Sequence, residues 1–116
     1  MTRTLSIRQA LTVAALASAT LFSSSAFAFD AAAADATLRR EGCFKCHAAD
    51  RKKDGPTYRE VAARYKGKPD AEKRLLTHIT TGEKAKFADG HEEDHKIIKT
   101  KDVNEIKNAI QWILSL

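Results

Sequence analysis

The 116-residue chain has two cysteines, two prolines and one methionine. The methionine is Met1, so no later position offers a thioether side chain as a metal ligand. The two cysteines, Cys43 and Cys46, lie too close together in sequence for a disulfide that would stabilise a whole domain. Because there is no third cysteine, a four-cysteine zinc or iron–sulfur site is also excluded.

Other kinds of active site are missing as well. The sequence contains no serine–histidine–acid pattern, no glycine-rich phosphate loop and no second metal-binding cluster. Hydrolytic and group-transfer chemistry are therefore not expected, and the chain is predicted not to be an enzyme.

The first 28 residues have the features of a signal peptide. Arg3 and Arg8 form a basic start, residues 11–22 are apolar and uncharged, and Ala26-Phe27-Ala28 matches a small-x-small cleavage site. The pattern predicts cleavage after Ala28, export to the periplasm and one mature domain over residues 29–116. An uncleaved membrane anchor is the alternative, but the apolar run is short against the about 20 residues of a span. No later segment is apolar enough to cross a bilayer.

The segment Cys43-Phe44-Lys45-Cys46-His47 is the clearest motif in the chain. C-x-x-C-H is the attachment signature of a c-type haem, in which each thiol bonds one haem vinyl group. The adjacent histidine is then placed to ligate the iron. We therefore predict one covalently bound haem c, attached at Cys43 and Cys46 and ligated on its proximal side by His47. A buried haem would also supply core for a domain this small.

The rest of the mature chain predicts helices. Residues 30–41 are alanine-rich, and Gly42 is expected to end this helix and could also allow close helix–helix contact. Thr57 can cap a helix over 58–65, and another over 70–81 is ended by Gly82. Residues 83–101 are the least regular part.

A last helix follows Asp102. Asp102 and Glu105 resemble a capping box. The apolar residues of this helix recur at helical spacing and form one stripe; they are Val103, Ile106, Ile110 and Ile113.

Together these features resemble the class I cytochromes c, and most closely the small bacterial cytochrome c-551 or c8 type. The resemblance covers essentially all of residues 29–116 and is carried by three motifs: Gly42-Cys43-Phe44-Lys45-Cys46-His47, Lys53-Asp54-Gly55-Pro56-Thr57-Tyr58 and Trp112-Ile113-Leu114-Ser115-Leu116. It implies an all-α fold of about four helices around one covalently attached haem, with the N- and C-terminal helices crossing. It also implies that the Pro56 carbonyl accepts a hydrogen bond from the Nδ1 of His47.

The sequence departs from this family at the distal iron ligand. Class I electron carriers normally use a methionine about 16 or 17 residues before the tryptophan of the last helix, and here His95 lies 17 residues before Trp112. Imidazole is a competent iron ligand, and Ile97 and Ile98 are expected to line the distal side near it. His91, Lys96 and an open or water-bound iron remain alternatives.

Two other histidine interpretations stay open. Both His91 and His95 could be solvated loop residues beside the acidic run 92–94, whose carboxylates are expected to raise their pKa. His78 is expected at the surface or boundary, without a ligand role.

The predicted function is one-electron transfer at low potential with His/His ligation, because methionine raises the haem potential relative to nitrogen. The alternatives are a haem that binds NO, CO or O₂ or performs limited redox catalysis at a labile sixth position, and a subunit of a larger oxidoreductase complex. A spectrum of both redox states would separate the first two.

A redox partner protein is expected to dock at a basic haem edge formed by Lys45, Arg51, Lys52 and Lys53. The formal charge of +5 falls to +3 without Arg3 and Arg8, and to about +1 with two haem propionates. Nucleic acid is therefore not an expected partner.

Overall fold

The computed structural model describes residues 28–116, so the predicted signal peptide lies outside the described residues except for Ala28. Within this part, no helix is long and apolar enough to cross a membrane. The domain has four α-helices, a 3₁₀ turn at Cys43–Lys45 and two short strands. The helices are α1 (Ala31–Arg40), α2 (Tyr58–Tyr65), α3 (Ala71–Thr81) and α4 (Val103–Leu114), and the strands are β1 (Lys84–Lys86) and β2 (Glu92–Asp94).

The packing of α1 against α4 forms the centre of the core, as predicted. Ala34 and Leu38 on α1 are buried. Their counterparts on α4 are also buried; these are Ile106, Ala109, Ile110 and Ile113. Val103, predicted to belong to the same stripe, is instead 53% exposed, because the first turn of α4 extends beyond the core.

The ends of α2 and α3 agree with the predictions. The Thr57 hydroxyl accepts from the Glu60 amide at 3.1 Å, and the Glu60 carboxylate accepts from the Thr57 amide at 2.6 Å. Gly82 ends α3 in the left-handed region, with φ of 68°, where a side chain would be strained. α3 also packs against α4.

The predicted capping box at Asp102 is only half formed. The Asp102 carboxylate accepts from the amides of Asn104 and Glu105, at 2.9 and 3.3 Å. The Glu105 carboxylate does not accept a hydrogen bond from the Asp102 amide, as a complete capping box requires. It accepts instead from Thr37, Thr100 and Arg40, and so joins α1 to α4.

The segment between α3 and α4 contains a hairpin that the sequence did not predict. β1 and β2 pair antiparallel, with Lys84 opposite Asp94 and Lys86 opposite Glu92. The Lys84 ammonium lies 2.7 Å from the Asp94 carboxylate. Opposite charges facing each other support the pairing, although neither strand has the apolar alternation by which strands are recognised.

Candidate haem site

The two cysteines and His47 lie in a single turn between α1 and α2. Gly42, with φ of 75°, redirects the chain after α1. The amides of Cys46 and His47 then both donate to the Cys43 carbonyl, at 3.3 and 3.1 Å. Cys43 is half-buried, Cys46 is exposed, and neither forms a disulfide. Both thiols are thus available for covalent attachment. The nearest atoms to a Cβ at Gly42 are side-chain atoms of Lys96 and Lys45.

The His47 ring is held by residues 55 and 56. The His47 Nδ1 donates to the Pro56 carbonyl at 2.7 Å, which leaves Nε2 as the nitrogen that carries a lone pair. The Gly55 amide donates to the Cys46 carbonyl at 2.8 Å, which closes the loop. A Cβ at Gly55 would lie 2.5 Å from the His47 Cε1, so only glycine fits beside the ring. We call residues 42–56 the attachment segment.

His95 approaches His47 from a different part of the chain. The ring centroids of His47 and His95 are 6.2 Å apart and the rings are inclined by 44°. A metal–imidazole bond of about 2 Å separates the centroids of two imidazoles on opposite sides of one metal by about 6 Å. This distance is therefore compatible with two imidazoles that share one iron.

The backbone around His95 is anchored on both sides. The His95 amide donates to the Glu83 carbonyl at 3.0 Å, and the Ile98 amide donates to the Ile79 carbonyl at 2.9 Å. Ile98 is 5% exposed and belongs to the core, whereas Ile97 is 46% exposed and packs against Gly82. We call residues 95–100 the distal segment.

The Nδ1 atom of the His95 ring is buried and has no hydrogen-bond partner within residues 28–116. Such a nitrogen is costly to bury, and no hydrogen bond there fixes the orientation of the ring. The donor set here, two thiols and two imidazoles with nitrogens to spare, fits a haem c.

The pKa values of both imidazoles favour the neutral form that metals require. Burial lowers the pKa of His47, against the opposing effect of the Pro56 carbonyl. Burial also lowers the pKa of His95, with further lowering by His78 and His47. The expectation that the acidic run would raise the pKa of His95 is wrong, because the Asp94 and Glu93 carboxylates instead contact Lys84 and His91.

His91 and Lys96 lie elsewhere. His91 is exposed on the hairpin, where its ring stacks on Phe87 and its Nδ1 donates to Asp89. That carboxylate raises the pKa of His91, and Glu93 of the acidic run raises it further, as expected from the sequence. The Lys96 ammonium lies near Gly42, 3.1 Å from where a Cβ would be. Of these side chains, the ring contacts place that of His95, and not that of His91, next to His47.

His78 lies at the boundary of the domain, as predicted, but its contact with His95 was not expected. Its half-buried ring lies 4.1 Å from the His95 ring, centroid to centroid. Its Nδ1 donates to Glu83 at 2.6 Å, and Glu83 also pairs with Arg74 at 2.9 Å. The signal available in the sequence was its place on α3 just before Gly82, the glycine against which the segment carrying His95 packs.

The predicted basic edge is partly engaged in internal contacts. The Lys53 ammonium donates to the Phe44 carbonyl, and Lys52 lies 3.5 Å from the Glu60 carboxylate. Lys45 and Arg51 are exposed and form no ion pair among the described residues. These two side chains are therefore the members of the predicted edge whose charge is unpaired within the described residues.

The fold and the turn of two cysteines and a histidine define a small all-α haem-attachment domain. The sequence model of the family Cytochrome c matches residues 31–116 of this chain. The chain therefore belongs to the cytochrome c family. Haem c, covalently bound and one per chain, is accordingly its cofactor.

Curated relatives agree with this family. The chain is 39% identical to cytochrome c-551 of Pseudomonas aeruginosa over 58% of this chain, a match that spans 62% of that relative's length. It is 31% identical to cytochrome c-551 of Allochromatium vinosum over 73% of this chain and 88% of the relative.

Solved structures are also similar. The class 1 cytochrome MtoD from Sideroxydans lithotrophicus ES-1 is 55% identical, with a TM-score of 0.73 over 76% of this chain and 97% of that one. Nitrosomonas europaea cytochrome c552, at 23% identity and a TM-score of 0.55 over 70% of this chain and 96% of that one, shares the fold. The small class I c-551-type fold predicted from the three motifs is thus confirmed.

Proposed function

We propose that this protein is a periplasmic one-electron carrier of low potential whose haem iron is ligated by His47 and His95. The observation that carries the proposal is the 6.2 Å separation of the two imidazole rings. The absence of methionine after Met1 supports it, because the usual distal ligand is not available. The signal peptide predicted over residues 1–28 supports the periplasmic location.

Each site residue has one task in this proposal. Cys43 and Cys46 attach the haem, which supplies an Fe(III)/Fe(II) couple when bound. Pro56 holds the Nδ1 proton of His47, so that the opposite nitrogen is oriented and more basic. Burial keeps His95 neutral and therefore able to coordinate. Two nitrogen ligands hold the potential below that of a His/Met carrier.

A second function is favoured by one observation. The Nδ1 of His95 has no hydrogen-bond partner within residues 28–116, so no second-shell bond fixes the ring as Pro56 fixes His47. An imidazole held in this way detaches more readily, and a small ligand such as CO or NO would then take the sixth position.

The visible spectrum of the reduced protein, with and without CO, separates the two functions. The carrier function predicts a low-spin spectrum in both redox states and no change within minutes of adding CO. A high-spin reduced spectrum, or CO binding within the mixing time, would contradict the carrier function and support gas binding.

The basic edge supports docking of an acidic partner. Lys45 and Arg51 are the proposed contacts, because Lys52 and Lys53 are already engaged. We expect oxidation by ferricyanide, a small anionic oxidant, to slow as salt is added. Lys45→Gln should reduce both the rate at low salt and its salt dependence.

Lys107→Gln on α4 is the matched control, since it removes the same charge from a lysine paired with Glu72. Equal effects of the two variants would show that net charge rather than the edge sets the rate, and would remove Lys45 from the docking site.

A further inference from the structure

Glu41 is a buried carboxylate that the haem chemistry described above does not use. It is the C-terminal capping residue of α1, it is 6% exposed, and it precedes Cys43 by two residues. Burial of a carboxylate is costly unless its oxygens are satisfied. The burial of the Glu41 carboxylate, directly before the attachment segment, must therefore be offset by contacts to its oxygens.

The partner of Glu41 lies in the distal segment. The Lys99 amide donates to the Glu41 Oε2 at 2.7 Å, across 58 residues of sequence. The other oxygen, Oε1, lies 3.6 Å from the Arg40 Nε. A backbone amide that donates to an ionised carboxylate forms one of the stronger protein hydrogen bonds. The contact links the start of the haem attachment to the residue four positions after His95.

The remaining anchors of the distal segment lead elsewhere. The His95 amide binds the Glu83 carbonyl just beyond α3, and the Ile98 amide binds the Ile79 carbonyl on α3. The Thr100 hydroxyl donates to Glu105 on α4 at 2.8 Å. Among these hydrogen bonds, the one to Glu41 joins the distal segment to the part of the chain that holds the cysteines.

We propose that Glu41 is a positioning residue that fixes the distal segment against the attachment segment and so retains His95 at the iron. The inference rests on the proposed His95 ligation. In this proposal, His95 leaves when the distal segment moves away, and that movement breaks the Glu41–Lys99 hydrogen bond. Loss of the acceptor should therefore raise the population of the open form, and with it the rate at which an external ligand replaces His95.

The test compares Glu41→Leu, which removes the acceptor, with Glu41→Gln, which keeps an amide oxygen there. The readouts are the rate of CO binding to the reduced holoprotein and the hydrogen exchange of the Lys99 amide. We expect Glu41→Leu to bind CO about tenfold faster than wild type and to exchange the Lys99 amide faster by a similar factor. Glu41→Gln should remain within about twofold of wild type on both measures.

Glu92→Gln is the matched control, because it removes a carboxylate from the exposed strand before His95 and should change neither rate. If Glu41→Leu does not fold, Glu41→Ala takes its place with the same expectation.

Unchanged CO binding in Glu41→Leu would overturn the proposal, even if the protein were less stable to urea. Equal acceleration in Glu41→Gln and Glu41→Leu would also overturn it, since the charge and not the hydrogen bond would then matter. Failure of the His95 ligation itself is recognised separately, by a His95→Ala variant that stays low-spin.

Discussion

The attachment segment and the distal segment are built in opposite ways. His47 is held by Pro56, nine residues away, and the loop between them is closed by the Gly55 amide. The distal segment has its partners on α3, at the end of α1 and on α4, up to 58 residues away. One side of the site thus depends on local sequence, and the other depends on the assembled fold.

This difference decides which residues are sensitive to substitution. The geometry of the attachment segment should be disturbed by changes within a few positions of His47. The distal segment should respond to changes in the core and at remote partners. The following predictions test that contrast, in order of decreasing effect.

Ile98→Ala should have the largest effect on stability. The side chain is 5% exposed in the core between the distal segment and the helices. Removal of a buried isoleucine side chain typically costs about 2–5 kcal/mol of unfolding free energy. Urea unfolding of the holoprotein measures it.

Ile97→Ala is the matched control, because Ile97 is 46% exposed and should cost less than about 1 kcal/mol. Equal losses in the two variants would mean that Ile98 does not anchor the distal segment as described.

Gly55→Ala should have the next largest effect. The added Cβ would lie 2.5 Å from the His47 Cε1 and 3.0 Å from the Cys46 carbonyl oxygen. We expect a cost of about 1–3 kcal/mol and a changed haem absorption spectrum, because the ring must move.

Gly67→Ala provides the comparison. Gly67 has φ of 74° but no atom within 4 Å of an added Cβ. It should cost about 1–2 kcal/mol from backbone strain alone and leave the spectrum unchanged. A normal spectrum in Gly55→Ala would show that the fit beside His47 is looser than the structure indicates.

The smallest effect is expected at the hairpin. Asp89 raises the pKa of His91 above its ordinary value of 6.5. The contact that raises this pKa contributes its full stabilisation to the folded protein below about pH 6.5. This contribution is lost as the pH rises through the raised pKa of His91. NMR titration of the holoprotein should show His91 above 6.5, and Asp89→Asn should lower it without altering the haem spectrum. A His91 pKa that does not change in Asp89→Asn would contradict the assigned contact.

The parts of the fold that could be predicted are those set by nearby residues. Thr57 at the start of α2 and Gly82 after α3 each act within a few positions, whereas the hydrogen bond between Pro56 and His47 was implied by the family resemblance. The resemblance to a known family added the assembly of the helices, which local patterns alone do not give.

Contacts between residues distant in sequence account for the features that the sequence did not predict. Glu105 has the right spacing for a capping box, but Arg40, Thr37 and Thr100 take its carboxylate. The acidic run before His95 suggested a raised pKa, yet its side chains contact Lys84 and His91, and burial dominates at His95. The contact of His78 with His95 and that of Glu41 with Lys99 likewise exist only in the folded chain.

The spin state of the oxidised haem in His95→Ala tests the central claim most directly. The account predicts that His95→Ala becomes high-spin at neutral pH, while His91→Ala remains low-spin with the wild-type spectrum. A low-spin His95→Ala protein, or a high-spin His91→Ala protein, would contradict the proposed ligation.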